Sequence, residues 1–141
     1  MKGERIIQAT LEDVKVMCVV AVGGLEGIKE AWEKLEMPLP SLKGRKFYGT
    51  YLNGEYRACV ALRDDDDPIA LGLDKWTIPG GTYAHRKIQD WPERTGEIGK
   101  TFAAMAAEYP VDPTRPEIEF YRSQKELILY IPIKSETQGR E

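Results

Sequence analysis

Residues 14–22, Val-Lys-Val-Met-Cys-Val-Val-Ala-Val, form an almost unbroken apolar run closed by Gly23-Gly24, which predicts a buried strand ending in a turn. Past the glycines the period changes: Leu25, Ile28, Trp32 and Leu35 recur at steps of three and four with charged residues between them, the mark of an amphipathic helix. Met37-Pro38-Leu39-Pro40 ends that helix near Glu36, because proline lacks the N–H and constrains the residue before it. Residues 46–52 and 55–63 are aromatic and β-branched runs joined at Asn53-Gly54, a pair that tolerates positive φ and suits a tight hairpin. An acidic stretch, Asp64-Asp65-Asp66-Asp67-Pro68, leads through Leu71, Leu73 and Trp76 to a second strong turn at Pro79-Gly80-Gly81. The pattern then recurs. Residues 82–88 alternate like a strand, and residues 97–109 place Ile98, Phe102, Met105 and Tyr109 along one helical face. Residues 117–121 and 126–133 read as a second hairpin.

Strand, helix, strand, strand thus occurs twice, which predicts an α+β fold built from a duplicated unit with pseudo-twofold symmetry and a cleft between the halves. The first repeat is expected over 14–63 and the second over 76–134, within one domain spanning 1–141 whose core covers about 14–134. Superposing the hairpins lays Phe47-Tyr48-Gly49-Thr50-Tyr51 on Glu117-Ile118-Glu119-Phe120-Tyr121 and residues 56–63 on 127–134. Such a unit is expected to carry its helices on one side of the sheets and a groove on the other.

Composition narrows the function classes. Lys and Arg total 20 against 23 Asp and Glu, a net charge of -3 with the signs interspersed, so no basic patch points to direct nucleic-acid binding. The N-terminal Met1-Lys2-Gly3-Glu4-Arg5 has no apolar segment behind it, and the run ending at Val22 is far short of the roughly 20 residues that cross a bilayer. Neither membrane association nor export is expected, and Cys18 and Cys59, both inside apolar strands, suit a reducing cytoplasmic setting, although a bridge between them stays open.

Among candidate chemistries, Glu119 is the most informative carboxylate, because strand alternation puts it with Tyr121 on one face and Ile118 with Phe120 on the other. A carboxylate beside aromatic rings in a cleft can hold an organic cation; the same residue also reads as a solvated or ion-paired side chain, and local pattern leaves both open. Trp76 and Trp91 fall in loops flanking the strand at 82–88, as packing plugs or pocket walls, whereas Trp32 reads as helix core. Gly49 corresponds to Glu119 in the repeat and Tyr51 to Tyr121, so a symmetric groove would be charged on one side only. The four aspartates read as a solvated turn, since neighbours on an extended chain point alternately. The single histidine, His85, has no partner at metal-ligand spacing, and no phosphate-binding fingerprint or nucleophile elbow is present. No metal and no cofactor is expected.

Four passages together resemble the GyrI-like small-molecule-binding family, related to the effector-binding domains of multidrug-responsive bacterial transcription activators: 47–51 (FYGTY), 76–84 (WTIPGGTYA), 118–121 (IEFY) and 129–134 (LYIPIK). The resemblance implies the duplicated unit, a ligand cleft between its halves, and a glutamate of the penultimate strand as ligand anchor, here Glu119. It maps an aromatic wall onto Tyr51, Trp91 and Tyr121, with Trp76, Tyr83, Phe102 and Tyr130 as further candidates. It also implies a stand-alone binding domain for amphipathic, aromatic or cationic compounds, in sensing, sequestration or resistance, with no DNA-binding segment expected alongside. Two other roles follow from the same family: hydrolysis of cyclopropane-bearing genotoxic compounds, with Glu119 as the catalytic residue positioning water, and modulation of DNA gyrase by protein contact.

Overall fold

A computed structural model of the chain describes residues 6–134; the N-terminal segment read above for a leader and the last residues, 135–141, lie outside it, as does the side chain of Leu25. The polypeptide runs β1 (Ile7–Leu11), β2 (Val14–Val20), α1 (Leu25–Glu36), β3 (Phe47–Leu52), β4 (Glu55–Ala61), α2 (Pro68–Leu71), β5 (Asp74–Ile78), β6 (Gly81–Gln89), α3 (Glu97–Glu108), β7 (Glu117–Tyr121) and β8 (Glu126–Pro132), with a 3-10 turn at Trp91–Glu93. The class is α+β. All eight strands join one antiparallel sheet in the order β1-β6-β8-β7-β3-β4-β2-β5.

Local chemistry explains most boundaries. Asn53 (φ 53°) and Gly54 (φ 80°) supply the two positive-φ residues of the hairpin that pairs Leu52 with Glu55. The helix α3 ends at Tyr109, extended at φ −131° and ψ 150°, as expected of a residue preceding proline. The short α2, unforeseen in the pattern, starts on the Asp67 carboxylate, which accepts from the Ala70 N–H at 3.3 Å, with Pro68 in its first turn.

The sheet is strongly curled, and its connections require this. Only Glu12 and Asp13 separate β1 from β2, yet β1 is an edge of the sheet and β2 lies seventh in its order. Pro79 and Gly80 make a similarly short link from β5, at the other edge, to β6. The two edges therefore approach each other, and the Asp13 carboxylate accepts the Gly80 N–H across the junction at 2.7 Å.

Both long helices cover one face of this sheet. Ala31 and Leu35 of α1 pack on Met17, Ala58 and Val60, while Phe102 and Met105 of α3 pack on Ala84, Ile88, Leu127 and Leu129. The other face curls over a third core of Val16, Cys18, Cys59, Ile78, Tyr83 and Ile118. In the acidic run Asp64, Asp65 and Asp67 are exposed, as a solvated turn requires, and Asp66 alone departs from that reading. Asp66 is only 6% exposed at its side chain, where the Arg45 guanidinium grips both carboxylate oxygens at 2.6 and 2.7 Å.

Candidate functional site

The strands β3 and β7 pair at the middle of the sheet, and this pairing sets Glu119 directly opposite Gly49. Alternation along β7 turns Glu119 and Tyr121 to the helix-bearing face and buries Ile118 on the other, as its sequence predicts. Gly49 is needed there because a Cβ at that position would run into the Tyr56 hydroxyl and stand 2.5 Å from Glu119 Oε1. The missing side chain is the room in which the carboxylate and the phenol meet.

Two phenols converge on one oxygen. The Tyr121 hydroxyl donates to Glu119 Oε1 at 2.6 Å and the Tyr56 hydroxyl donates to the same atom at 2.9 Å. Behind Tyr56, Trp32 Nε1–H donates to the Tyr56 oxygen at 3.2 Å, so an indole, a phenol and a carboxylate are linked in series. Burial, and then the negative charge of Glu119, holds both tyrosines far above the ordinary phenol range, so they remain protonated donors. The neighbouring Glu117 carboxyl is also raised, first by burial and then by the charge of Glu119.

Above this network the rings form a wall. Trp32 meets Tyr121 edge-on at 5.6 Å and Phe47 at 6.1 Å, and Trp91 meets Tyr121 edge-on at 5.0 Å. Trp91 is fixed by the loop after β7: its indole N–H donates to the Ser123 carbonyl at 3.0 Å, and the Asp90 N–H donates to the Lys125 carbonyl at 2.6 Å. These four rings line an open cavity of about 610 Å³ that is completed by Glu36, Leu42, Gly44, Arg45, Arg122, Ser123 and Gln124. That volume suits a drug-sized molecule. Glu119 lies one hydrogen bond behind the wall, reached through the Tyr121 hydroxyl.

The charges at the cavity are unequal. Arg45 is bound to Asp66, and Arg122 shares the Glu126 carboxylate with Lys87 at 3.2 and 3.0 Å, whereas among the described residues neither Glu36 nor Glu119 has an ion-pair partner, so that these groups together leave one net negative charge. The balance around the rings is negative, which favours a positively charged occupant. No group of three or more His, Cys, Asp or Glu side chains among the described residues is placed to hold a metal ion.

With that geometry in view, likeness to solved structures locates the fold. An integron cassette protein from the mobile metagenome of Vibrio cholerae superposes with a TM-score of 0.68 at 18% identity, covering 94% of this chain and 97% of that one. The protein SAV2435, solved bound to tetraphenylphosphonium, superposes at 0.61 with 14% identity, covering 95% and 96%. A hydrolase from Listeria innocua gives 0.58 at 11% identity, covering 95% and 94%. The chain shares its fold with all three. No protein-family model matches the sequence, and no curated protein matches it.

The residues singled out from sequence fall in two groups. Glu119, Tyr121 and Trp91 come together at the cavity, and Phe102 lies beneath the same face, packed in the core under α3. Tyr51 shares the strand of Gly49 but is 50% exposed and stands away from the cavity lining. Trp76, Tyr83 and Tyr130 lie on the opposite face. There Trp76 sits under the Arg57 guanidinium at 4.3 Å, Tyr83 is fully buried with its hydroxyl donating to the Pro79 carbonyl, and Tyr130 borders a separate cavity of about 280 Å³. The 610 Å³ cavity therefore opens on the helix-bearing face, not on the side away from the helices. Sequence reasoning passed over Tyr56 and Phe47 and gave Trp32 to the core alone. One signal was present: a glycine inside the aromatic strand β3 marks a close approach by some other group.

Proposed function

We propose that this protein binds small amphipathic aromatic cations in the cavity walled by Trp32, Phe47, Trp91 and Tyr121, as a GyrI-like domain acting in the cytoplasm in sensing, sequestration or resistance. One observation carries the reading: an ion-unpaired carboxylate, Glu119, is held by two phenols directly behind a drug-sized aromatic cavity. A cation against those rings gains from their faces and from the negative charge that the Tyr121 hydroxyl relays. The tetraphenylphosphonium bound by SAV2435, a protein of the same fold, supports this class of ligand. The duplicated unit belongs to the same proposal. It is supported by the sheet order, in which β7, β8, β6 and β1 run outward from the centre on one side and β3, β4, β2 and β5 on the other, and by the register that pairs Gly49 with Glu119 at the centre.

The test is a titration of tryptophan fluorescence with tetraphenylphosphonium and with neutral triphenylphosphine oxide. The cation is expected to bind at least tenfold more tightly, and Glu119→Gln to remove most of that preference. Equal affinity of wild type for the two compounds would sink the proposal. A second reading, hydrolysis of a cyclopropane-bearing electrophile with Glu119 positioning water, draws on the same carboxylate and on the likeness in fold to a protein called a hydrolase. Product mass spectrometry separates the two: a gain of one water in the strained compound, absent with Glu119→Gln, establishes the enzyme, and unchanged compound with saturable binding establishes the binder.

A further inference from the structure

The face of the sheet turned away from the cavity holds a pair of thiols that the binding reading does not use. Cys18 of β2 and Cys59 of β4 are directly opposite in the antiparallel register, both are free, and their residues are 2% and 0% exposed. The register also fixes which kind of pair they make. The Ala21 N–H donates to the Tyr56 carbonyl at 2.8 Å and the Leu62 N–H donates to the Lys15 carbonyl at 2.9 Å. Hydrogen-bonded and non-hydrogen-bonded pairs alternate along an antiparallel ladder, so Cys18 and Cys59, three positions from each of those two, form a non-hydrogen-bonded pair. In such a pair the Cα atoms are about 4.5 Å apart and both side chains leave the same face, a spacing within the range that a disulfide spans.

The surroundings favour chemistry at one sulfur. Cys18 also faces Asp74 of the edge strand β5, and the guanidinium of Arg57 lies beside the pair, stacked over Trp76. The Cys59 S–H donates to the Arg57 carbonyl at 3.7 Å, and the Cys18 thiol is drawn below its ordinary value first by its neighbour Cys59 and then by the Arg57 guanidinium, against the opposing effects of burial and of Asp74. Burial raises Cys59 well above its own. Cys18, on the strand that the Arg57 guanidinium crosses to reach Trp76, is thus the better placed nucleophile, and Cys59 the sulfur opposite it. The strand β5, which pairs Asp74 with Cys18, is an edge paired on one side only, the element whose local opening would expose the pair.

We infer that Cys18 and Cys59 form a two-electron redox site that closes to a cross-strand disulfide when the protein meets a hydroperoxide. The Cys18 thiolate attacks the distal peroxide oxygen, the O–O bond breaks, and the alcohol or water leaves with a proton while Cys18 becomes a sulfenic acid. Cys59 sulfur then attacks the Cys18 sulfur, the S–O bond breaks, and the departing hydroxide takes the Cys59 proton and leaves as water. Two thiols lose two electrons and two protons, and the peroxide is reduced by the same two electrons.

The experiment uses the intact protein at high dilution with a modest excess of hydrogen peroxide, read by intact mass, by thiol titration in denaturant and by peptide mapping. The expected result is a monomer lighter by about two mass units, no titratable thiol, and one cross-linked peptide pair containing Cys18 and Cys59. Reduction should restore both thiols. Because the bridge closes a long loop, the oxidised protein should melt higher by about 5–15 °C. In Cys59→Ser the reaction should stop at a Cys18 sulfenic acid, trapped as its dimedone adduct. Two thiols surviving peroxide in the folded protein, addition of two or three oxygens in place of loss of two hydrogens, or disulfide-linked dimers would each overturn the inference, and all three are read on the wild type whether or not the variant folds.

Discussion

Gly49→Ala is the most direct test of the arrangement behind the cavity. The added methyl would overlap the Tyr56 hydroxyl and stand 2.5 Å from Glu119 Oε1, so it must separate the two groups. Alanine is itself favoured over glycine in a strand by about 0.5–1 kcal/mol, and the variant would be stabilising if the space were empty. Against that gain stands the hydrogen bond from Tyr56 to a charged acceptor, worth about 1.5–3 kcal/mol, together with disturbance of the Trp32 bond to the same phenol, about 1 kcal/mol. The expected net loss is about 2–3 kcal/mol, or roughly 5–10 °C in Tm for a chain of this size. Tyr56→Phe breaks the same two bonds and should cost a similar amount. The decisive quantity is their coupling in urea denaturation. Because the shared bonds can be lost only once, the double variant should be about 2.5–4 kcal/mol more stable than the sum of the singles predicts. A Gly49→Ala protein as stable as wild type, or single effects that add within about 0.5 kcal/mol, would refute the network.

Two further expectations follow from other parts of the structure. Trp32→Phe keeps a ring in the wall but removes the N–H that Tyr56 accepts; it should cost about 0.5–1.5 kcal/mol in denaturation and weaken tetraphenylphosphonium several-fold in the fluorescence titration. The Arg45 hydrogen bonds, more than any other cause, lower the Asp66 carboxyl to about 2. Its contribution to stability is therefore complete above the unfolded carboxyl value near 4 and is lost as pH falls from about 4 through 2. Asp66→Asn should abolish that component of the acid-unfolding curve. It should also cost about 3 kcal/mol at neutral pH, because the buried Arg45, whose Nε already has no partner among the described residues, would lose its counter-charge.

Much of this molecule is written in its local pattern. The apolar run of β2, the period of α1 and α3, and the Asn53-Gly54 turn each follow from the chemistry of a few adjacent residues, and the structure places them within a residue or two of expectation. The strands β1 and β5 escaped notice because both are short edges with mostly exposed side chains, and an edge carries little of the hydrophobic signal by which strands are read. Alternation alone put Glu119 and Tyr121 on a common face, a purely local fact that sequence can supply.

Tertiary structure decided what that face meets. Tyr56 reaches Glu119 from 63 positions away, through a strand pairing that no local pattern encodes, and Trp32 reaches Tyr56 from the helix above. Strand parity then divided the aromatic residues of the sheet, sending Trp76, Tyr83 and Tyr130 to one core and Phe47 and Tyr121 to the other face, where Trp32 of α1 and Trp91 of the 3-10 turn complete the cavity wall. Residue types could nominate a carboxylate and a set of rings. Only the register of β3 against β7, which brings a glycine opposite a glutamate, made the space in which they meet.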